Sequence, residues 1–170
     1  TIFEGTSEIQ RNIISMFRMR ATVRSKGAFY ADMAEGLAGL RPETGGPVLS
    51  RAVSALNDLI AAARKRKLTR SQHVMFLLAD MMTWCEVADA LCRKASEGES
   101  GKRSPAFVEA AARLFALEAV ETALRSGLRI ARGCGEDLGE AARALKDLDP
   151  SAGVEGYLAD MVAVARELVE

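Results

Sequence analysis

The 170-residue sequence is poor in aromatics, at 5% Phe, Trp and Tyr, and it holds one His, one Trp and four prolines. So few prolines leave long stretches free to be helical. One His makes a zinc site an unattractive reading, and no metal site is expected. Neither charge is in excess, since 23 Lys+Arg balance 23 Asp+Glu. That balance argues against a general nucleic-acid binder, which normally carries a basic surplus. No uncharged run reaches the roughly 20 apolar residues that a spanning helix needs. Residues 1–20 also lack the charged-then-apolar order of a signal peptide. The three cysteines, Cys85, Cys92 and Cys134, are odd in number and fall in no paired-ligand spacing. Cys85 and Cys92 share a helical face but stand two turns apart, at about 1.5 Å per residue, too far for a disulfide. Reduced, mostly buried thiols of an intracellular protein are the expectation.

What is present reads as helix. Hydrophobic residues make up 49% and charged ones 27%, the composition of a globular domain with a core. Ser7 and Gln10 form an S-x-x-Q capping box, and Ile9, Ile13, Met16 and Phe17 follow at helical spacing. A looser helix over 28–40 precedes the Arg41-Pro42-Glu43-Thr44-Gly45-Gly46-Pro47 break. The pattern predicts a helix over 48–67 with Val53, Leu56, Leu59 and Ile60 on one face. The helix expected over 71–95 is apolar nearly all round, which places it centrally. A polar loop over 96–104 leads to Pro105 at the start of another long helix, which ends near Gly133. Shorter helices are expected over 138–148 and 152–168. The fold class is therefore all-α, an antiparallel four- to five-helix bundle preceded by one further helix.

The bundle offers little chemistry. His73 lacks a triad partner, and Asp80, Glu86 and Asp89 read as solvated or salt-bridged acids. The basic run Arg64, Lys65, Arg66 and Lys67 suits a helix C-terminus, and it also fits an anionic membrane surface. The opening residues differ in kind. Glu4 stands on a glycine-flanked turn just before a helix start, where a mobile carboxylate can act as a general base. The hydroxyls of Thr6 and Ser7 and the free N–H groups of the helix start can hold an anionic or carbonyl oxygen. The same residues also make an ordinary turn and cap with no ligand.

The run Ile2-Phe3-Glu4-Gly5-Thr6-Ser7-Glu8-Ile9-Gln10-Arg11 resembles the I-[YF]-E-G-T-[SN]-[ED]-I-[QL]-R signature near the end of acyl-CoA dehydrogenases. The resemblance implies that Glu4 removes the α-proton of an acyl-CoA thioester while the β-hydrogen leaves as hydride to N5 of FAD. It implies that Gly5 contacts substrate and that Thr6, Ser7 and Glu8 touch FAD. Phe3 replaces the commoner Tyr, as in the very-long-chain branch, and Asn12 and Ser15 depart from the usual choices. The signature implies a C-terminal fragment: residues 1–20 close a catalytic domain, and 21–170 form an accessory helical bundle of the very-long-chain-like or related bacterial type. The helix before that bundle would be the remnant of the dehydrogenase C-terminal bundle. The fragment alone is expected to be inactive. The resemblance further implies electron-transferring flavoprotein as oxidant, a homo-oligomer, and a bacterial cytoplasm or mitochondrial matrix. A non-catalytic helical module for oligomerisation or membrane-surface docking is the alternative.

Overall fold

The computed structural model describes residues 6–134, 138–153 and 155–169. Glu4 and Gly5 lie outside the described residues. Among those described the chain is all-helical, as its periodicity predicts. Its helices are α1 (Ser7–Arg24), α2 (Ala28–Ala38), α3 (Gly46–Lys65), α4 (Gln72–Glu97), α5 (Pro105–Gly133), the short α6 (Glu140–Ala144) and α7 (Tyr157–Val169).

Helices α2 to α5 alternate in direction and form the bundle. The Ser50 hydroxyl donates to the Ala34 carbonyl at 2.8 Å, which pairs α2 with α3 in opposite senses. The turn between them closes on Gly45, at φ 76°, a left-handed conformation that suits glycine. A Cβ on the next residue, Gly46, would lie 2.9 Å from the Leu37 carbonyl oxygen, so the hairpin is tight at its mouth. Arg41 in that turn reaches both the Ala95 carbonyl, at 3.4 Å, and Glu109, at 2.9 Å. Those two contacts bring the end of α4 beside the start of α5. Ser71 and Ser104 cap α4 and α5 through the N–H groups of Val74 and Phe107, and Pro105 occupies the first turn of α5.

The core runs through Leu49, Leu56, Leu59, Ile60, Leu78, Met81 and Met82, all fully enclosed. Each such leucine contributes roughly 1.5–3 kcal/mol by leaving water. Helix α4 packs against α1, α3 and α5 and is central, as its all-round apolar character requires. The inner seam of α5 consists mainly of small residues: Ala112, Ala116, Ala119, Ala123 and Gly127 recur at spacings of three and four. They let neighbouring elements approach closely, so that a Cβ on Gly127 would press into Leu145 and Leu59. By contrast Leu114, Phe115 and Leu124 are half-buried and Leu128 is exposed.

Helix α1 lies along the outside of α4, parallel to it. Arg11 pairs with Asp80 at 2.6 Å and Arg18 with Glu86 at 2.5 Å, one pair above the other. The expected apolar face does not reach the core. Ile9, Ile13, Met16 and Phe17 are 41–56% exposed, while Ser15 and Thr22 are buried. The reason is geometric. Arg11, Ser15, Arg18 and Thr22 share one face, and the arginines turn it onto the acids of α4. Both hydroxyls satisfy themselves by donating to carbonyls of the preceding turn.

Helix α7 runs antiparallel to the first half of α5. Asp160 accepts two hydrogen bonds from Arg113, at 2.8 and 2.5 Å, and Arg113 also donates to the Glu43 carbonyl. Farther along, Glu167 accepts from the backbone N–H and hydroxyl of Ser104. The helix starts at Tyr157 rather than 152, because Pro150 opens a separate turn of 3-10 helix through Gly153.

Candidate functional site

The first turn of α1 is the described part of the signature segment. Thr6 is the residue before the helix, with extended backbone, and its carbonyl accepts from the Gln10 N–H at 3.1 Å. Helix α1 therefore begins at Ser7, one residue before the expected start, and no side-chain cap forms. The Glu8 carboxylate is instead held below the ordinary carboxylate value by its own backbone N–H and the neighbouring Thr6 hydroxyl. A negative group here also suits the positive end of the helix dipole.

Thr6, Ser7 and Glu8 are all exposed. On one helix end, open to solvent, they can touch a cofactor such as FAD but cannot enclose one. The described residues of this segment therefore present an open helix end and do not by themselves form a cradle.

The acids of α4 are engaged. Asp80 and Glu86 hold α1, the Tyr30 hydroxyl donates to Glu86 at 2.8 Å, and Asp89 accepts from Arg93 at 2.8 Å. Tyr30 is fully enclosed, and burial together with the Glu86 charge pushes its phenol far above the ordinary value. Cys85, Cys92 and Cys134 stand as free thiols, the first two buried. Burial, reinforced by Glu86 and Asp89, pushes the Cys85 thiol up to about 12, and burial pushes Cys92 to about 12 as well. Neither is a nucleophile near neutral pH. His73 is exposed at the start of α4. Among the described residues no cluster of His, Cys, Asp or Glu could hold a metal ion.

Arg64, Lys65, Arg66 and Lys67 are all exposed at the C-terminal end of α3, where Lys67 adopts a left-handed conformation at φ 60°. Arg64 also stands on the rim of a groove of about 600 Å³ between the ends of α1 and α3 and the start of α4. Met16, Met19, Val23 and Met75 form its apolar lining, and Arg20 and Arg24 join Arg64 at its edge. Met16 stands out in the sequence as part of the first helix's apolar face, whereas Met19 and Met75 do not. The groove's signal is the pairing of apolar Met16, Met19 and Val23 with Arg20 and Arg24 on adjoining faces of one helix. No described helix is long and apolar enough to cross a membrane.

Fold and surface together define an all-α bundle with an added edge helix whose exposed first turn bears the described end of the signature segment. The sequence pattern of the acyl-CoA dehydrogenase C-terminal domain matches residues 29–156, from the start of α2 to the threshold of α7. That is well over half of the chain, and the protein belongs to this family. No curated protein and no solved structure gives a match.

Proposed function

We propose that this chain is the C-terminal part of an acyl-CoA dehydrogenase, supplying the catalytic base together with an accessory helical bundle. The family match over residues 29–156 supports the family, and the ten-residue signature that ends at Arg11, which lies before that match, is what carries the assignment of the base. In this reading residues 1–20 close the catalytic domain and residues 21–170 form the accessory bundle. Glu4 takes the α-proton of an acyl-CoA thioester. Gly5 lets the substrate approach the backbone closely, and Thr6, Ser7 and Glu8 touch FAD. FAD supplies the hydride acceptor for the α,β-dehydrogenation. A dry site raises the base's pKa toward the working range, and the bound acyl chain provides that desolvation. The remaining cofactor and substrate surfaces come from other parts of the parent protein. The isolated chain is accordingly inactive, the parent assembles as a homo-oligomer, and electron-transferring flavoprotein reoxidises it. Its compartment is the bacterial cytoplasm, or the mitochondrial matrix of a eukaryote.

In the parent enzyme, Glu4→Gln is expected to abolish turnover while FAD remains bound, read by activity and by the flavin absorbance of the purified protein. Near-normal activity in that variant would place the base elsewhere. FAD reduction by an acyl-CoA with the isolated 170 residues would overturn the assignment of an inactive part.

A second reading concerns the bundle and is favoured by the arginine-rimmed methionine groove. Arg64, the first residue of the basic run, joins Arg20 and Arg24 at the groove's rim, a surface suited to anionic lipid with charge at the edge and adaptable apolar side chains within. Flotation with phosphatidylglycerol vesicles is expected to carry the chain, and neutralising Arg64, Lys65, Arg66 and Lys67 to glutamine should release it. Binding that is absent, or indifferent to those charges, would sink membrane docking.

A further inference from the structure

A different cleft, between α1, α4 and α5, is lined mainly by polar groups and encloses about 320 Å³. Its floor is one face of α5, on which Thr122, Arg125, Ser126 and Arg129 recur at i, i+3, i+4 and i+7. Arg11 of α1 and Trp84 of α4 complete the rim. Asp80 is the one acid in the lining, and Arg11 already engages it at 2.6 Å. Three guanidinium groups against one carboxylate leave a net charge of 3 − 1 = +2 in the cleft.

Two features separate this cleft from an ordinary solvated surface. Thr122 and Ser126 are each only 3% exposed, yet neither hydroxyl has a hydrogen-bond partner among the described residues. Neither oxygen is sealed off either, since the one wholly buried side-chain atom without a partner among the described residues is Oδ1 of Asn57. Both hydroxyls therefore open into the cleft. Arg125 and Arg129 likewise have no carboxylate partner among the described residues. Buried hydroxyls normally find partners, and arginine forks match the geometry of tetrahedral oxyanions.

We propose that this cleft is an anion site for a phosphate or diphosphate group, held by Arg125 and Arg129 with hydrogen bonds from Thr122 and Ser126. Carboxylates fit less well, because two hydroxyls and two forks offer more donors than two oxygens use. Arg11, fixed by Asp80, adds charge without itself being free to swing. The site is distinct from the basic run at 64–67, which contributes no residue to it.

Trp84 is the only tryptophan and lies at the rim, so its fluorescence reports on the cleft directly. Titrating the full 170-residue chain with sodium pyrophosphate is expected to give a saturating change that sodium chloride at equal ionic strength does not. Arg125→Gln/Arg129→Gln and Thr122→Val should each raise the half-saturation concentration at least tenfold. Circular dichroism checks that each variant is folded, and a variant that fails this check is replaced by Ser126→Ala, for which the same weakening is expected. A second arm uses phosphatidylglycerol vesicles in place of pyrophosphate. Saturation by pyrophosphate without vesicles marks a free phosphate ligand, whereas a response to vesicles alone that the arginine substitutions abolish marks a lipid headgroup. No saturable response in either arm, a response matched by chloride, or one unchanged in the folded variants would overturn the proposal.

Discussion

Cys85 and Cys92 lie two turns apart on α4 and face the core, and their chemistry follows from burial rather than from a partner. An ordinary thiol loses its proton near pH 9.0, whereas folded Cys85 holds it to about 12. Below pH 9 both the folded and the unfolded chain keep the proton, and the stabilisation is fully present. Between 9 and 12 the unfolded chain releases it first, so stability falls as pH rises. Tyr30, whose phenol burial and Glu86 also push upward, acts in the same direction. Thermal unfolding followed from pH 8 to 11 should therefore show a declining midpoint, and the decline should be shallower in Cys85→Ala/Cys92→Ala. An equal slope in both proteins would mean that the thiols titrate as they do in the open chain. In the same experiment, alkylation at pH 8 should reach half-exposed Cys134 and spare the buried pair until denaturant is added. This much was legible in the sequence, because cysteines inside an apolar helical run have nowhere else to go. The roles of Ser15 and Thr22 were not. A hydroxyl on a helix reads as polar and outward, and its ability to bond the carbonyl four residues back shows only in the folded chain.

At the scale of elements, α5 shows how a pattern of large residues can mislead. Leu117, Val120 and Ile130 are buried as such a pattern requires, but Leu114, Phe115 and Leu124 are only half-buried, and alanines with Gly127 make up most of what the interior faces. Small residues count little in a hydrophobic pattern, yet they set how near another helix can come. Gly127 is the sharpest case. A methyl there would collide with Leu145, which is fully enclosed and cannot swing away, and would crowd Leu59 at 3.1 Å. Gly127→Ala should cost on the order of 1–3 kcal/mol through overpacking, despite the helix propensity that alanine adds. In a chain of this size each kcal/mol lowers the unfolding midpoint by about 2–4 °C. Because Gly127 and Leu145 meet, Leu145→Ala should cost less in the Gly127→Ala background than alone, a coupling that a double-mutant cycle reads. Strict additivity would show that the two do not share the space. Element boundaries were legible where the chain carries its own punctuation, at Pro105 and at the Gly45-Gly46-Pro47 turn. The start of α7 was less legible, since Gly156 at φ 82° marks it just before Tyr157 but Pro150 offers a competing mark upstream, where it opens only a turn of 3-10 helix.

For the whole molecule, the informative feature is where apolar surface remains after the bundle has closed. The outer face of α1 keeps Ile9, Ile13, Met16, Phe17 and Val23 exposed, and α7 keeps Leu158, Met161, Leu168 and Val169. Single exposed apolar residues are ordinary, but a stripe along a helix is the kind of surface that domains use for packing. The ion pairs explain why α1 tolerates this orientation. Arg11 and Arg18 would lose Asp80 and Glu86 if the helix rolled its apolar stripe inward. A period read from sequence identifies the stripe without saying whether this bundle or another surface covers it. In the isolated chain, Ile13→Lys/Phe17→Lys should therefore leave stability within about 0.5 kcal/mol, as substitutions at surface sites do. The same change should reduce binding of an apolar dye such as anilinonaphthalene sulfonate. A fall of several degrees in the unfolding midpoint would show that the stripe is covered by the chain itself. Arg18→Ala should behave oppositely, lowering stability while leaving the stripe in place. It strips Glu86 of its cation, although the Tyr30 hydroxyl still donates to that carboxylate, and it removes the guanidinium that lies 5.7 Å from the centre of the Phe29 ring.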